Sequence, residues 1–121
     1  MMGYLACPVD LYHTARYQTG RALARARWPG VAWIEPARMG WDLETWWSEW
    51  AHILPALNLL AVIPRADGTI GRGVWQEITG CQRRGVPVYV LDGRRWRNNF
   101  CVELTGGESF RYWAKVRAHH E

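Results

Sequence analysis

The stretch ADGTIGRGVWQEITG, residues 66–80, places three glycines and a threonine within its first eight residues, just ahead of a helix-forming run with one carboxylate, Glu77. Backbone N–H groups at the start of a helix have no partner within it and lie at the positive end of its dipole. Gly71, Arg72 and Gly73 are therefore candidates to hold a phosphate or carboxylate. Glu77 follows about one turn later, on the side that looks back toward the loop. At the edge of a partly apolar cleft, with Trp75 and Trp50 as neighbours, it is a candidate nucleophile or general base. An acidic residue so early in a helix also suits an ordinary solvated surface, where the dipole favours it. Asp67 and Thr69 are candidates to contact a ligand or simply to cap the following turn. No Gly-Lys-Ser/Thr follows the loop and no GxGxxG turn follows the first apolar run, so neither ATPase nor dinucleotide chemistry is indicated.

The elements that would position these residues are short apolar runs alternating with helical patterns. Strands are expected at 3–8 (GYLACP), 30–37 (GVAWIEPA), 59–64 (LLAVIP), 86–92 (VPVYVLD) and 100–105 (FCVELT). Helices are expected at 11–28, 41–57, 73–84 and 109–120. Asp42 suits the cap of the second helix, and Pro55 should end or kink its last turn. Near-continuous apolar strands separated by helices indicate a parallel sheet covered on both faces. Ligands bind such sheets beyond the carboxyl ends of the strands, where the topology switches direction. The loop 65–72 leaves the third strand there and ACPVD leaves the first, so neighbouring first and third strands would set both loops across one crevice.

At 121 residues, 49% hydrophobic and 21% charged, the chain is expected to be one globular domain. The net charge is +4, and fourteen of the fifteen basic residues are Arg, scattered from Arg16 to Arg117 rather than clustered. That pattern suits a small anionic ligand at least as well as a nucleic acid. Cys7, Cys81 and Cys101 are odd in number and widely spaced, which implies neither a disulfide framework nor a metal site. No segment approaches the ~20 apolar residues of a membrane span, and a reduced, cytoplasmic protein is expected.

The segment from Tyr4 to Asp92 resembles the nucleoside 2-deoxyribosyltransferase superfamily, above all its small bacterial and phage members. The resemblance rests on YLACP, WIEPA, a Trp-rich helix before LLAVIP, then GRGVWQEI and RRGVPVYVLD, in that order. It implies a flavodoxin-like, doubly wound α/β fold and cleavage or exchange of the N-glycosidic bond of nucleosides or nucleotides, without metal or cofactor. It also implies that Glu77 attacks the anomeric carbon, that Gly71–Gly73 lie near the sugar or its 5′-phosphate, and that Tyr4, Ala6, Cys7 and Pro8 line the base or sugar site. The family's helper aspartate on the second helix and the acidic residue opening the third strand fall on Trp50 and Asn58 here. Glu49 is the adjacent acidic candidate, about 100° around an ideal helix from Trp50, and His52 is another candidate acid. PRADGT (64–69) is similar to the PGGxGT loop of cytokinin-riboside phosphohydrolases, although Arg72 stands where that family has a glutamate.

Nine tryptophans are far above ordinary usage, and Trp41, Trp46, Trp47 and Trp50 cannot all point inward from one helix. Trp46 and Trp50 are expected in the core, while Trp41 and Trp47 suit a dimer contact as well as a core, so a homodimer is expected. DGRRWRNNF (92–100) is the most basic stretch, with an aromatic inside it, a candidate to contact phosphate or single-stranded nucleic acid but expected as a solvated loop; His119 and His120 read as a chain end rather than a metal site. The expected whole is one domain over 1–121, with a core at 3–92 and an extension at 93–121. Its expected partner is a nucleoside or nucleotide, in catalysis through Glu77 with Glu49 or as a non-catalytic binding module. A small basic nucleic-acid-associated protein is the third reading.

Overall fold

The computed structural model describes residues 1–104 and 110–114. A five-stranded sheet runs in the order β2-β1-β3-β4-β5, made of β1 (Met2–Ala6), β2 (Ala32–Ile34), β3 (Leu59–Val62), β4 (Val88–Asp92) and β5 (Arg95–Arg97). The first four strands are mutually parallel and β5 is antiparallel to β4. The helices are α1 (Ala15–Arg27), α2 (Pro36–Met39), α3 (Leu43–Ile53) and α4 (Gly71–Arg83), with 3-10 turns at Val9–Leu11 and Leu54–Ala56. The result is a mixed α/β arrangement compatible with a Rossmann-like fold. β6 (Phe100–Leu104) and β7 (Phe110–Ala114) pair antiparallel in a separate two-stranded sheet.

Strand alternation sorts the core into two layers. Tyr4, Ala6, Leu60, Val62, Val88 and Val90 face α3 and α4, where they meet Trp50, Val74, Ile78 and Cys81. Leu5, Cys7, Ala61, Ile63 and Leu91 face the other way, against Tyr17 and Ala24 of α1. Both layers are apolar because a parallel sheet has no solvated face. The register aligns Tyr4 with Leu60 and Leu60 with Val88, so the Tyr4 ring rises from the centre of the sheet under α3 and α4. Local signals set the helix starts: Thr14 accepts from Tyr17 N at 3.3 Å, and Asp42 accepts from Thr45 N at 2.7 Å.

The expected strands at 3–8, 59–64 and 86–92 are present and slightly shorter, the one expected at 100–105 pairs antiparallel with β7 instead of joining the parallel sheet, and Asp42 caps α3 as expected. Pro55 closes α3 by tightening it into a 3-10 turn. Three expectations fail. The strand expected at 30–37 stops at Ile34, because Pro36 at a first-turn position starts α2. The stretch 92–100 is not a loop: Gly93, at φ 65°, turns the chain so that β5 pairs back onto β4, extending the sheet beyond residue 92. The helix expected over 109–120 is a strand at 110–114, where Phe-Arg-Tyr-Trp favours extended pairing with β6 over helix. The remainder of that expected helix, with His119 and His120, lies outside the described residues.

Close approach of α1 to the sheet depends on Gly20, where an added Cβ would fall 2.5 Å from Cδ1 and 2.7 Å from Cγ1 of the fully buried Ile63. Gly20→Val should therefore lower unfolding free energy by roughly 2–3 kcal/mol. Urea denaturation of the single variant, and of the double variant with Ile63→Ala, reads this. The double variant should lose less than the sum of the two single changes.

Candidate functional site

Glu77 is the seventh residue of α4 and shares the inward stripe with Val74, Ile78 and Cys81. Its burial there, at 4% exposed, excludes the solvated, dipole-favoured position that its place in the helix also suited. Two neutral groups meet the carboxyl. The Trp46 indole Nε1 donates to Glu77 Oε2 at 2.9 Å and lies equally 2.9 Å from the Tyr4 hydroxyl oxygen. The Tyr4 hydroxyl also hydrogen bonds the Glu77 side chain. Trp50 packs edge-on against Tyr4, with ring centroids 5.0 Å apart, and parallel to Trp46 at 6.4 Å. The triangle of Tyr4, Trp46 and Glu77 thus joins β1, α3 and α4.

Burial pushes the Glu77 carboxyl up to about 7, although hydrogen bonds from Tyr4 and Trp46 favour its ionised form. A group half ionised at neutral pH can act as base, acid or nucleophile without a large proton-transfer penalty. The thiols beside it cannot. Burial, with the Glu77 charge adding to it, pushes Cys7 and Cys81 up to about 12, so both stay protonated. Burial raises the Tyr4 and Tyr12 hydroxyls as well, leaving them as neutral hydrogen-bonding groups.

The loops leaving β1 and β3 meet beside this triangle, at the point where the chain order reverses between the two strands. Arg65 grips Asp10 through Nε at 3.1 Å and Nη2 at 3.0 Å, and donates from Nη1 to Thr69 Oγ1 at 3.2 Å. Arg16 Nε donates to the Pro64 carbonyl at 2.6 Å. The β3 loop is closed from within: Arg65 N donates to Thr69 O, and the Thr69 amide and hydroxyl both donate to Asp67 Oδ1. Asp67 and Thr69 therefore do form the expected local turn. Gly71 opens α4 at φ 77°, a conformation that favours glycine, and no side chain caps this helix.

Of the residues expected at the site, the structure brings Tyr4, Trp50 and Glu77 together, with Ala6, Cys7 and Pro8 buried at the carboxyl end of β1. Gly71, Arg72 and Gly73 form the first turn of α4, with Arg72 and Gly73 exposed. Glu49 stands exposed on α3 and makes no hydrogen bond to Glu77; His52, also exposed, bonds the Ser48 carbonyl through Nδ1 at 2.9 Å. Among the described residues, no cluster of His, Cys, Asp and Glu could hold a metal ion.

Four participants escaped the sequence reading. Trp46 was expected as core packing, and only its polar N–H hinted otherwise. Asp10 and Arg65 are 55 residues apart, and nothing local pairs them. Glu35 is a second buried carboxyl, held by Arg21 at 2.6 Å, Arg25 at 3.1 Å and Tyr17 at 3.0 Å. Burial raises Glu35, but these hydrogen bonds outweigh it and hold the group below the usual carboxylate range. Compared with family models, curated proteins and solved structures, the chain finds no match in any of the three.

The raised Glu77 carboxyl ties stability to pH. The folded chain keeps this proton up to about 7, whereas the unfolded chain loses it near the ordinary 4.5. The contribution is thus fully present below pH 4.5 and is lost as pH rises through 7, amounting to on the order of 3 kcal/mol. Glu77→Gln cannot titrate. Its melting temperature relative to wild type should climb between pH 5 and 8, whereas equal pH profiles would place Glu77 in water.

Proposed function

We propose that the chain binds a nucleoside or nucleotide and cleaves or exchanges its N-glycosidic bond on Glu77, within a flavodoxin-like doubly wound fold. The observation that carries this reading is the buried Glu77 carboxyl, met by the Trp46 indole N–H and pushed up by burial to about 7. The strand order β2-β1-β3-β4, with loops meeting where the order reverses, supports the fold and the location of the crevice. A buried carboxyl with a raised pKa and, among the described residues, no bonded cation suits a nucleophile or proton carrier better than a purely structural residue.

The chemistry is that of a retaining glycosidase. Glu77 attacks C1′ as the C1′–N bond breaks, and the bonding pair departs on the base nitrogen, which takes a proton from solvent. Water, or a second base, then attacks C1′ and releases Glu77 as the carboxylate, while water's spare proton passes to solvent. Aromatic rings of Trp46 and Trp50 at the site suit a sugar and a flat base.

One observation favours a second reading, the non-catalytic nucleotide-binding module. Glu49 stands exposed, and the groups around Glu77 are hydroxyl, indole and thiol, all neutral near pH 7. No second carboxylate among the described residues bonds Glu77 to help the base depart. Under either reading the chain works in the cytoplasm as a homodimer. The exposed Leu43 and Trp47, one turn apart on α3, support that contact.

Incubation with ribo- and deoxyribonucleosides and their 5′-monophosphates, followed by chromatography of free base, separates the two. Catalysis predicts release that rises with pH through about 7 as Glu77 ionises, and a loss of roughly 10³-fold or more in Glu77→Ala. Ligand binding by both proteins without release would leave the binding module. Sedimentation of wild type against Trp47→Glu reads the dimer, which the charge should dissociate.

A further inference from the structure

We propose that the Trp46 indole N–H is a positioning donor for Glu77, shared with Tyr4, which fixes Oε2 and leaves Oε1 as the reacting oxygen. The inference deepens the reading of Glu77 as the attacking group and rests on it for its mechanistic meaning. Its physical basis stands alone. Nε1 carries one hydrogen and has two acceptors at the same distance, Glu77 Oε2 and Tyr4 Oη, both at 2.9 Å. One proton cannot satisfy both fully, so its position follows whichever oxygen carries more negative charge.

An indole N–H donates and never accepts, and it does not titrate. It can therefore neutralise charge on the carboxylate at any pH without taking the proton that Glu77 must lose to react. A second carboxylate or a histidine in its place would do the reverse in one of its charge states. The ring is also held. Trp47 packs edge-on against it at 4.6 Å and Trp50 lies parallel at 6.4 Å, so swinging the N–H away would break both contacts.

Among the described residues, the groups whose ionisation the Glu77 charge opposes are Tyr4 on β1, Cys7 at its end, Tyr12 just after the 3-10 turn and Cys81 on α4. All four are neutral near pH 7, so none competes with the indole for the charge. In the ionised state, Trp46 and Tyr4 both direct hydrogens at the carboxylate. When Oε1 bonds to C1′, the carboxylate becomes an ester and loses its charge, and the indole proton moves toward Tyr4 Oη. Release of the sugar restores charge to Oε2 and returns the proton. The N–H thus favours the free carboxylate over both its protonated and its glycosylated forms.

The test is an NMR titration of the full chain from pH 5 to 9. It follows the Trp46 indole ¹H–¹⁵N signal and the Glu77 carboxyl ¹³C signal, in wild type, Glu77→Gln, Trp46→Phe and Trp47→Phe. The indole proton should move downfield with the same midpoint as the carboxyl, and stay flat in Glu77→Gln. Trp46→Phe keeps the ring but removes the donor, and should raise the Glu77 midpoint by about one to two pH units. Trp47→Phe keeps an aromatic ring against Trp46 and removes only the neighbouring indole, so it should leave the midpoint in place. A merely structural Trp46 would give a flat indole signal in wild type, or an unmoved midpoint in a folded Trp46→Phe, and either result overturns the proposal. If Trp46→Phe fails to fold, the Glu77→Gln comparison decides alone. If the titrations couple but wild type releases no base, the glycosidase reading fails while the donor assignment stands.

Discussion

A carboxyl group removed from water must find a cation, find donors or keep its proton, and the centre of this structure is built around the last two choices. Glu77 lies in the apolar stripe of α4, and among the described residues the groups that reach it are a phenol and an indole. Two neutral donors offset part of the desolvation and no more, so the carboxyl stays poised between its charge states. That balance requires three elements to be fixed together, because Tyr4, Trp46 and Glu77 belong to β1, α3 and α4 respectively. Small displacement of any one would lengthen a 2.9 Å bond and tip the balance toward the protonated form.

The sheet supplies that fixity. β1 and β3 occupy its middle, parallel and in a register that raises Tyr4 and Ala6 beside Leu60 and Val62 on one face. The connection through α1 leaves on the opposite face from those through α3 and α4, which opens the region beyond the carboxyl ends of β1 and β3. The Arg65–Asp10 pair then ties the two loops that border this region. Both side chains remain partly solvated, so the pair contributes more to loop geometry than to global stability.

The parts of the fold readable in the sequence were those carried by local signals. The apolar runs of β1, β3 and β4, the Asp42 cap and the Pro55 stop each depend on a few adjacent residues. Glu77 and the loop before it were readable as candidates for the same reason. What escaped was decided by distant partners. β5 exists because Gly93 turns Arg95–Arg97 back onto β4, and β7 because Phe100–Leu104 lies ready to pair with it. The distinction between Trp46 as filler and Trp46 as donor depends on α4 bringing Glu77 to it from 31 residues away. Glu49 shows the converse: it was a candidate by proximity in sequence, and the rotation of α3 that buries Trp50 leaves it in solvent.

Glu35 supplies the internal comparison that gives Glu77 its meaning. Both are buried glutamates, 7% and 4% exposed, and each is bonded by a tyrosine. Around Glu35 the chain adds two guanidinium groups, and the carboxyl is held ionised below its ordinary range. Around Glu77 it adds an indole, and the carboxyl rises to about 7. Arginine is not scarce in this sequence, and Arg65 is bound to Asp10 at the edge of the same region. A guanidinium on Glu77 would stabilise the fold at neutral pH, yet it would also hold the oxygen lone pairs and weaken them as a nucleophile or base. Among the described residues no cation bonds Glu77, and a buried carboxyl so placed costs stability but keeps its oxygen lone pairs unclaimed by a guanidinium.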